Sequence, residues 1–166
     1  DPIVRIFLPA PRTGTDNMAA ELSVTRYIAA TPDKVWHVMT DRQEEWWCPR
    51  PWYAKVDFQD RRAGGRCEMT FHGPDGETEP QNGIYLAYDE GRRFVTTDAV
   101  TGDFVPAGPF MVGIWEIAPE GDGTRYTASA RHWSEEACRQ HEEMGFTEGW
   151  GACADQLKAL CEQAAS

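Results

Sequence analysis

Polar and apolar residues alternate from Glu21 to Ala30, with β-branched Val24, Thr25 and Ile28 among them. This period of two predicts a first strand. The period then changes. Val35, Trp36, Val38 and Met39 recur at helical spacing. Thr31 stands before them as an N-cap, Pro32 at the first helical position, and Asp33 where a negative charge suits the helix dipole. Asp41–Trp47 predicts a second short helix, stopped by Pro49 and Pro51. Strand patterns return in Ala54–Arg62 and Arg66–His72, with Ala63-Gly64-Gly65 as the hairpin turn between them. Pro74-Asp75-Gly76 makes the next turn, and Asn82–Val100 reads as two strands around Asp89-Glu90-Gly91. A proline-punctuated loop, Val105–Pro109, leads to Phe110–Ala118 and Thr124–Trp133, which pair across residues 119–123. From Ser134 onward the pattern is helical.

The predicted order is strand, two short helices, about six strands and a long helix. Consecutive strands joined by short turns give an antiparallel sheet, which has one apolar face to cover. The C-terminal helix is the element long enough to cover it. Strand alternation turns Cys67, Met69 and Phe71 inward, with Met111, Gly113, Trp115 and Ile117 on one partner strand and Tyr126, Ala128, Ala130 and His132 on another. Along the helix, Phe146, Trp150, Cys153, Leu157 and Leu160 form the facing stripe. Three glycines interrupt this helix in "MGFTEGWG" (Met144–Gly151). A glycine inside a helix costs about 1 kcal/mol relative to alanine. The expectation is therefore a break near Gly145, with Phe146 and Trp150 pointing at the sheet and walling any cavity.

Composition narrows the functions. The 166 residues are 41% hydrophobic and 11% aromatic, with seven tryptophans. That suffices for one domain over residues 18–166 with a substantial core. Residues 1–17 carry three prolines ahead of Met18 and read as a leader or flexible extension. A net charge of −11 opposes binding to nucleic acid or to an anionic membrane surface. Five scattered cysteines with no Cys-x-x-Cys suggest reduced thiols in a cytoplasmic protein. No apolar run reaches the roughly 18 residues of a membrane span.

The stretches "VTRYIAATPDKVWHVMTD", "EEWWCP", "DRRAGGRCEM", "GTRYTASAR" and "HEEMGFTEGWGACADQL" resemble, in order and spacing, the activator-of-heat-shock-protein-90-ATPase homologue family. That family belongs to the START-like, helix-grip (SRPBCC) superfamily. The match runs from about Glu21 to Leu160, and the pairing of Arg62-Ala-Gly-Gly-Arg66 with Gly145-Phe-x-x-Gly-Trp150 is its most specific part. The resemblance implies an α+β helix-grip fold, a curved antiparallel sheet of about six to seven strands around a long C-terminal helix. It also implies an apolar cavity between the two. The superfamily includes hydrophobic-ligand carriers, aromatase/cyclases, hydrolase-like members and the eukaryotic chaperone activator.

The candidate chemistry is sparse. His132 is the one histidine on an inward strand face, and Tyr126 on the same strand face is its only acid/base partner. His141, in the charged run "EEACRQHEEM", reads as solvated, as does His72 near a hairpin tip. Neither Cys-x-x-Cys nor His-x-x-x-His is present, so no metal or other cofactor is expected. Gly-x-Ser-x-Gly is missing too. Arg61, Arg62 and Arg66 flank a turn, where a solvated surface outweighs an anion anchor. The aromatic set says more, because ligand pockets are largely apolar with a few polar anchors. The expected cavity residues are Trp47, Met69, Phe71, Met111, Trp115, Tyr126, His132, Phe146 and Trp150. The leading expectation is a binder of a small hydrophobic or aromatic molecule, acting as monomer or homodimer. A co-chaperone-like activator of a heat-shock-protein-90 type ATPase, and a cyclase/hydrolase-type enzyme using the same cavity, are the alternatives.

Overall fold

Residues 20–108 and 111–163 are described in a computed structural model; the leader expected over 1–17 lies outside them. Strand β1 (Ala20–Ile28) leads into helices α1 (Pro32–Asp41) and α2 (Gln43–Trp46). Strands β2 (Tyr53–Gln59), β3 (Arg66–His72), β4 (Thr78–Asp89) and β5 (Arg93–Thr97) follow. The two-residue strands β6 (Val100–Thr101) and β7 (Val105–Pro106) pair with each other ahead of β8 (Met111–Glu120) and β9 (Gly123–His132). Helices α3 (Glu135–Glu143) and α4 (Phe146–Glu162) come last.

Seven strands make one antiparallel sheet in the order β1-β9-β8-β5-β4-β3-β2. The β1–β9 ladder, from Ala20↔His132 to Ile28↔Thr124, joins the first strand to the last. Register shifts at Val56/Phe58 and Tyr85/Ala87 mark bulges, which bend strands and give the sheet its curvature. The hairpin Ala63-Gly64-Gly65 depends on both glycines. Gly64 has φ +83°, and a Cβ on Gly65 would stand 1.9 Å from the Asp60 carbonyl oxygen.

The Thr31 cap forms as the sequence predicts, and the structure adds a second at Ser134. The Thr31 hydroxyl accepts from Lys34 N, and Ser134 accepts from Ala137 N at the start of α3. Helix α4 is tied along β1: Arg26 Nε donates to Asp155 Oδ1 at 2.8 Å, Lys158 Nζ to the Tyr27 carbonyl at 2.8 Å, and Ala29 N to Glu162 Oε2 at 2.7 Å. Under it lie Ile28, Met39, Trp46 and Tyr126, which with the helix's own Leu157 are fully buried. The helix stripe differs from expectation in one place. Leu160 is half-buried, and Cys161, one position on, is buried in the core.

Helices α3 and α4 meet at the expected break. Gly145 has φ +97°, a left-handed conformation that a side chain would strain, and Phe146 starts the next helix. Phe146 and Trp150 are buried, pointing at the sheet.

Candidate functional site

Four aromatic rings fill the space between the middle of the sheet and α4. Phe94 stacks on Trp115, with centroids 5.2 Å and planes 20° apart, and Trp115 stacks on Trp150, at 5.2 Å and 18°. Trp47 stands edge-on to both tryptophans, 5.4 Å from Trp115 and 5.2 Å from Trp150. Edge-on and offset-stacked arrangements are those that ring quadrupoles favour. Trp115 reaches this position because Gly113, two residues earlier on the same strand face, has no Cβ; one would stand 2.5 Å from the indole.

A pocket remains beside these rings, over β3, β4, β5 and the start of β8. Its volume is about 100 Å³ and it is half open to solvent. Trp47, Met69, Phe71, Phe94, Met111 and Trp115 supply its apolar walls. Its polar groups are Gln43, Gln81, Asn82, Thr96, Thr97 and Asp98. Several of these are already engaged. Gln59 Nε2 donates to Gln43 Oε1 at 2.6 Å. Thr97 Oγ1 donates to the Met111 carbonyl and accepts from Ala99 N. Asp98 Oδ1 accepts from Met111 N at 3.3 Å, and burial pushes the Asp98 carboxyl up from its ordinary value.

Five of the nine expected cavity residues therefore come together: Trp47, Met69, Phe71, Met111 and Trp115. The other four lie elsewhere. Trp150 touches the site only through the ring stack, and Phe146 packs under Trp150 at 4.6 Å. No residue of α4 borders the pocket, so it does not lie between sheet and C-terminal helix as expected. The aromatic stack occupies that space. Tyr126 is fully buried in the core against Trp46. His132 borders a separate opening of about 190 Å³ beside Met111, Val112, Arg131 and the exposed Trp133.

The expected acid/base partnership of His132 with Tyr126 is overturned by distance. Six steps of extended strand separate them, about 20 Å. Burial also pushes the Tyr126 phenol well above its ordinary value, and its hydroxyl has no hydrogen-bond partner among the described residues. His132 pairs instead with His141, which is buried rather than solvated. The reason is the inward face of α3. Ala137, Cys138 and His141 are its less exposed positions, with His141 four and three residues after the other two, a helical spacing within a run otherwise too charged to suggest it.

The arginine cluster is structural. Arg61 donates to Asp41 Oδ1 and to the Thr40 carbonyl, each at 2.7 Å, which ties the β2–β3 hairpin to the end of α1. Arg62 pairs with Asp60, and Arg66 lies over the Phe58 ring, 4.0 Å from its centroid. Among the described residues no group of three or more His, Cys, Asp or Glu side chains converges as a metal site would require. No described helix is long and apolar enough to cross a membrane. Sequence reading missed Phe94, Gln43, Asn82 and Asp98. Alternation in "RFVTT" places Phe94 inward, but Gln43 sits in a polar helical turn and carries no such signal.

A seven-stranded antiparallel sheet with two short helices after its first strand and a long C-terminal helix across one end is the START-like, helix-grip architecture of the SRPBCC superfamily. The chain belongs to the family described as Activator of Hsp90 ATPase homolog 1-like protein, whose profile matches residues 29–162. A crystal structure of a Nitrosomonas europaea protein is similar at 34% identity and TM-score 0.79, covering 89% of this chain and 97% of that one. A Mycobacterium smegmatis protein is 29% identical, with TM-score 0.74 and coverage of 95% and 100%. The AHSA1 protein of Silicibacter pomeroyi shares the fold at 18% identity and TM-score 0.64, over 84% of this chain and 96% of that one. No curated protein matches. The family suggests a ligand-binding or activator role and fixes neither ligand nor partner for this chain.

Proposed function

We propose that this protein binds a small aromatic or hydrophobic molecule in the pocket over β3, β4, β5 and β8. The supporting observation is the pocket's wall: a half-open space of about 100 Å³ faced by Trp47, Phe94 and Trp115, with polar groups from α2, β4 and the end of β5 beside them. Those rings are held by stacking before any ligand arrives, so little ordering cost falls on binding. The volume suits a single ring whose substituent extends through the opening. The ligand's ring stacks or stands edge-on against Trp47 and Phe94.

The test is a thermal-unfolding screen of one-ring and two-ring aromatic compounds, run in parallel on the protein and on Thr96→Phe. Thr96 borders the pocket, and a phenyl group there occupies it. At least one compound should raise the melting temperature of the parent protein and leave that of the variant unchanged. A screen in which no compound stabilises the parent, or in which the variant responds equally, contradicts the proposal.

A further inference from the structure

The charge of the pocket specifies its ligand more narrowly than its shape does. Among the described residues bordering the pocket, Asp98 is the single charged one; Gln43, Gln81, Asn82, Thr96 and Thr97 are neutral. Among the described residues nothing cationic borders the pocket to hold a carboxylate, sulfate or phosphate. Asp98 itself forms no ion pair with any described Lys or Arg. Its hydrogen bonds come from backbone N–H groups, that of Met111 at 3.3 Å and its own, and neither brings a full positive charge. A half-buried carboxylate without a counter-charge is a costly arrangement that an incoming cation or strong donor relieves. An anion brought beside it would instead add like-charge repulsion at reduced dielectric.

Resting on the binding reading above, we propose that the pocket takes a ring-bearing amine or, more weakly, a ring-bearing alcohol, with the ammonium or hydroxyl donating to Asp98, and that it rejects aromatic carboxylates of the same size. The ring occupies the apolar wall of Trp47, Phe94 and Met69. The donor group lies at the rim where β5 ends and β8 begins, the place to which Asp98 and Met111 are tied. Selection here is by repulsion as much as by attraction.

Three one-ring probes of similar size separate the outcomes: benzylamine, benzyl alcohol and benzoate. Affinities are measured by calorimetry or NMR titration at neutral pH and 0.15 M salt, where diffuse surface attraction to an acidic protein is screened. Asp98→Asn keeps the side-chain oxygen that accepts from Met111 N and removes the charge. The expected order is benzylamine, then benzyl alcohol, then benzoate, with about tenfold or more between the ends. In Asp98→Asn the amine's advantage over the alcohol should vanish while the alcohol still binds, which also shows the variant to be folded. Benzoate binding as tightly as benzylamine, or an amine preference that survives Asp98→Asn, overturns the inference and leaves the binding reading intact. If none of the three binds, and no aromatic compound stabilises the protein either, both fall.

Discussion

His132 Nε2 lies 2.7 Å from His141 Nδ1, and both rings are buried. His132 Nδ1 faces the Ala20 carbonyl at 3.1 Å. A carbonyl can only accept, so Nδ1 of His132 carries the hydrogen. In the neutral pair, Nε2 of His132 is then the acceptor and His141 Nδ1 the donor. One hydrogen-bonded relay thus joins the start of β1, the end of β9 and helix α3. His141 also packs edge-on against Phe146 and Trp150, with centroids 5.1 Å and 6.1 Å away.

This pair sets a pH dependence. Burial, and secondarily the neighbouring His132, lowers His141 from 6.5 to about 4. Between those values the unfolded chain binds the proton that the folded chain refuses, so stability falls as pH falls through that window. Above pH 6.5 the contribution is complete. The loss from this group is at most about 3 kcal/mol. Urea midpoints measured at pH 7 and pH 4 should drop further for the parent than for His141→Gln. Equal drops would show that His141 is not held neutral by the fold.

A buried hydroxyl without a partner is a cost. Tyr126 is 0% exposed, and its oxygen finds no hydrogen bond among the described residues. Tyr126→Phe should leave stability unchanged or raise it by up to about 1 kcal/mol. Thermal and denaturant unfolding measure this directly, and a loss beyond about 1 kcal/mol would mean that the hydroxyl has a stabilising partner.

The turn between β2 and β3 tolerates no side chain at its second glycine. A methyl group on Gly65 would meet the Asp60 carbonyl oxygen at 1.9 Å, backbone that cannot swing aside. Gly65→Ala should therefore destabilise by more than about 2 kcal/mol. By contrast, Gly76→Ala has open space around it and only its φ of +86° to oppose it, so its loss should be the smaller. Chevron or equilibrium unfolding of the two variants ranks them, and the reverse order would contradict this account of the hairpin.

Much of the fold was legible because its signals are local. The change of period and the cap at Thr31, and the glycines at 64, 65 and 145, each act through backbone geometry within a few residues. The site was less legible because it depends on how rings share volume. Alternation places Trp115 and Trp150 inward, and both are buried. It does not say that they stack on each other and fill the very space where a cavity was expected. His141 shows the converse failure. Average polarity called it solvent-facing, while three- and four-residue spacing from Cys138 and Ala137 places it against His132. Asp98 lies in the segment read as the end of a strand and received no role, because its meaning lies in the absence of a counter-charge across the pocket.

The central claim is that the pocket beside Trp47 and Trp115 is the binding site. The indole N–H signals of the seven tryptophans report on it in a two-dimensional NMR titration with benzyl alcohol or benzylamine. Trp47 and Trp115 border the pocket, whereas Trp36 is bonded through Nε1 to Glu90 at 2.8 Å and Trp133 is 79% exposed near the separate opening. The account predicts saturable shifts at Trp47 and Trp115, with Trp36 and Trp133 unmoved. Shifts confined to Trp133, or none at Trp47 and Trp115 while another tryptophan moves, would contradict it.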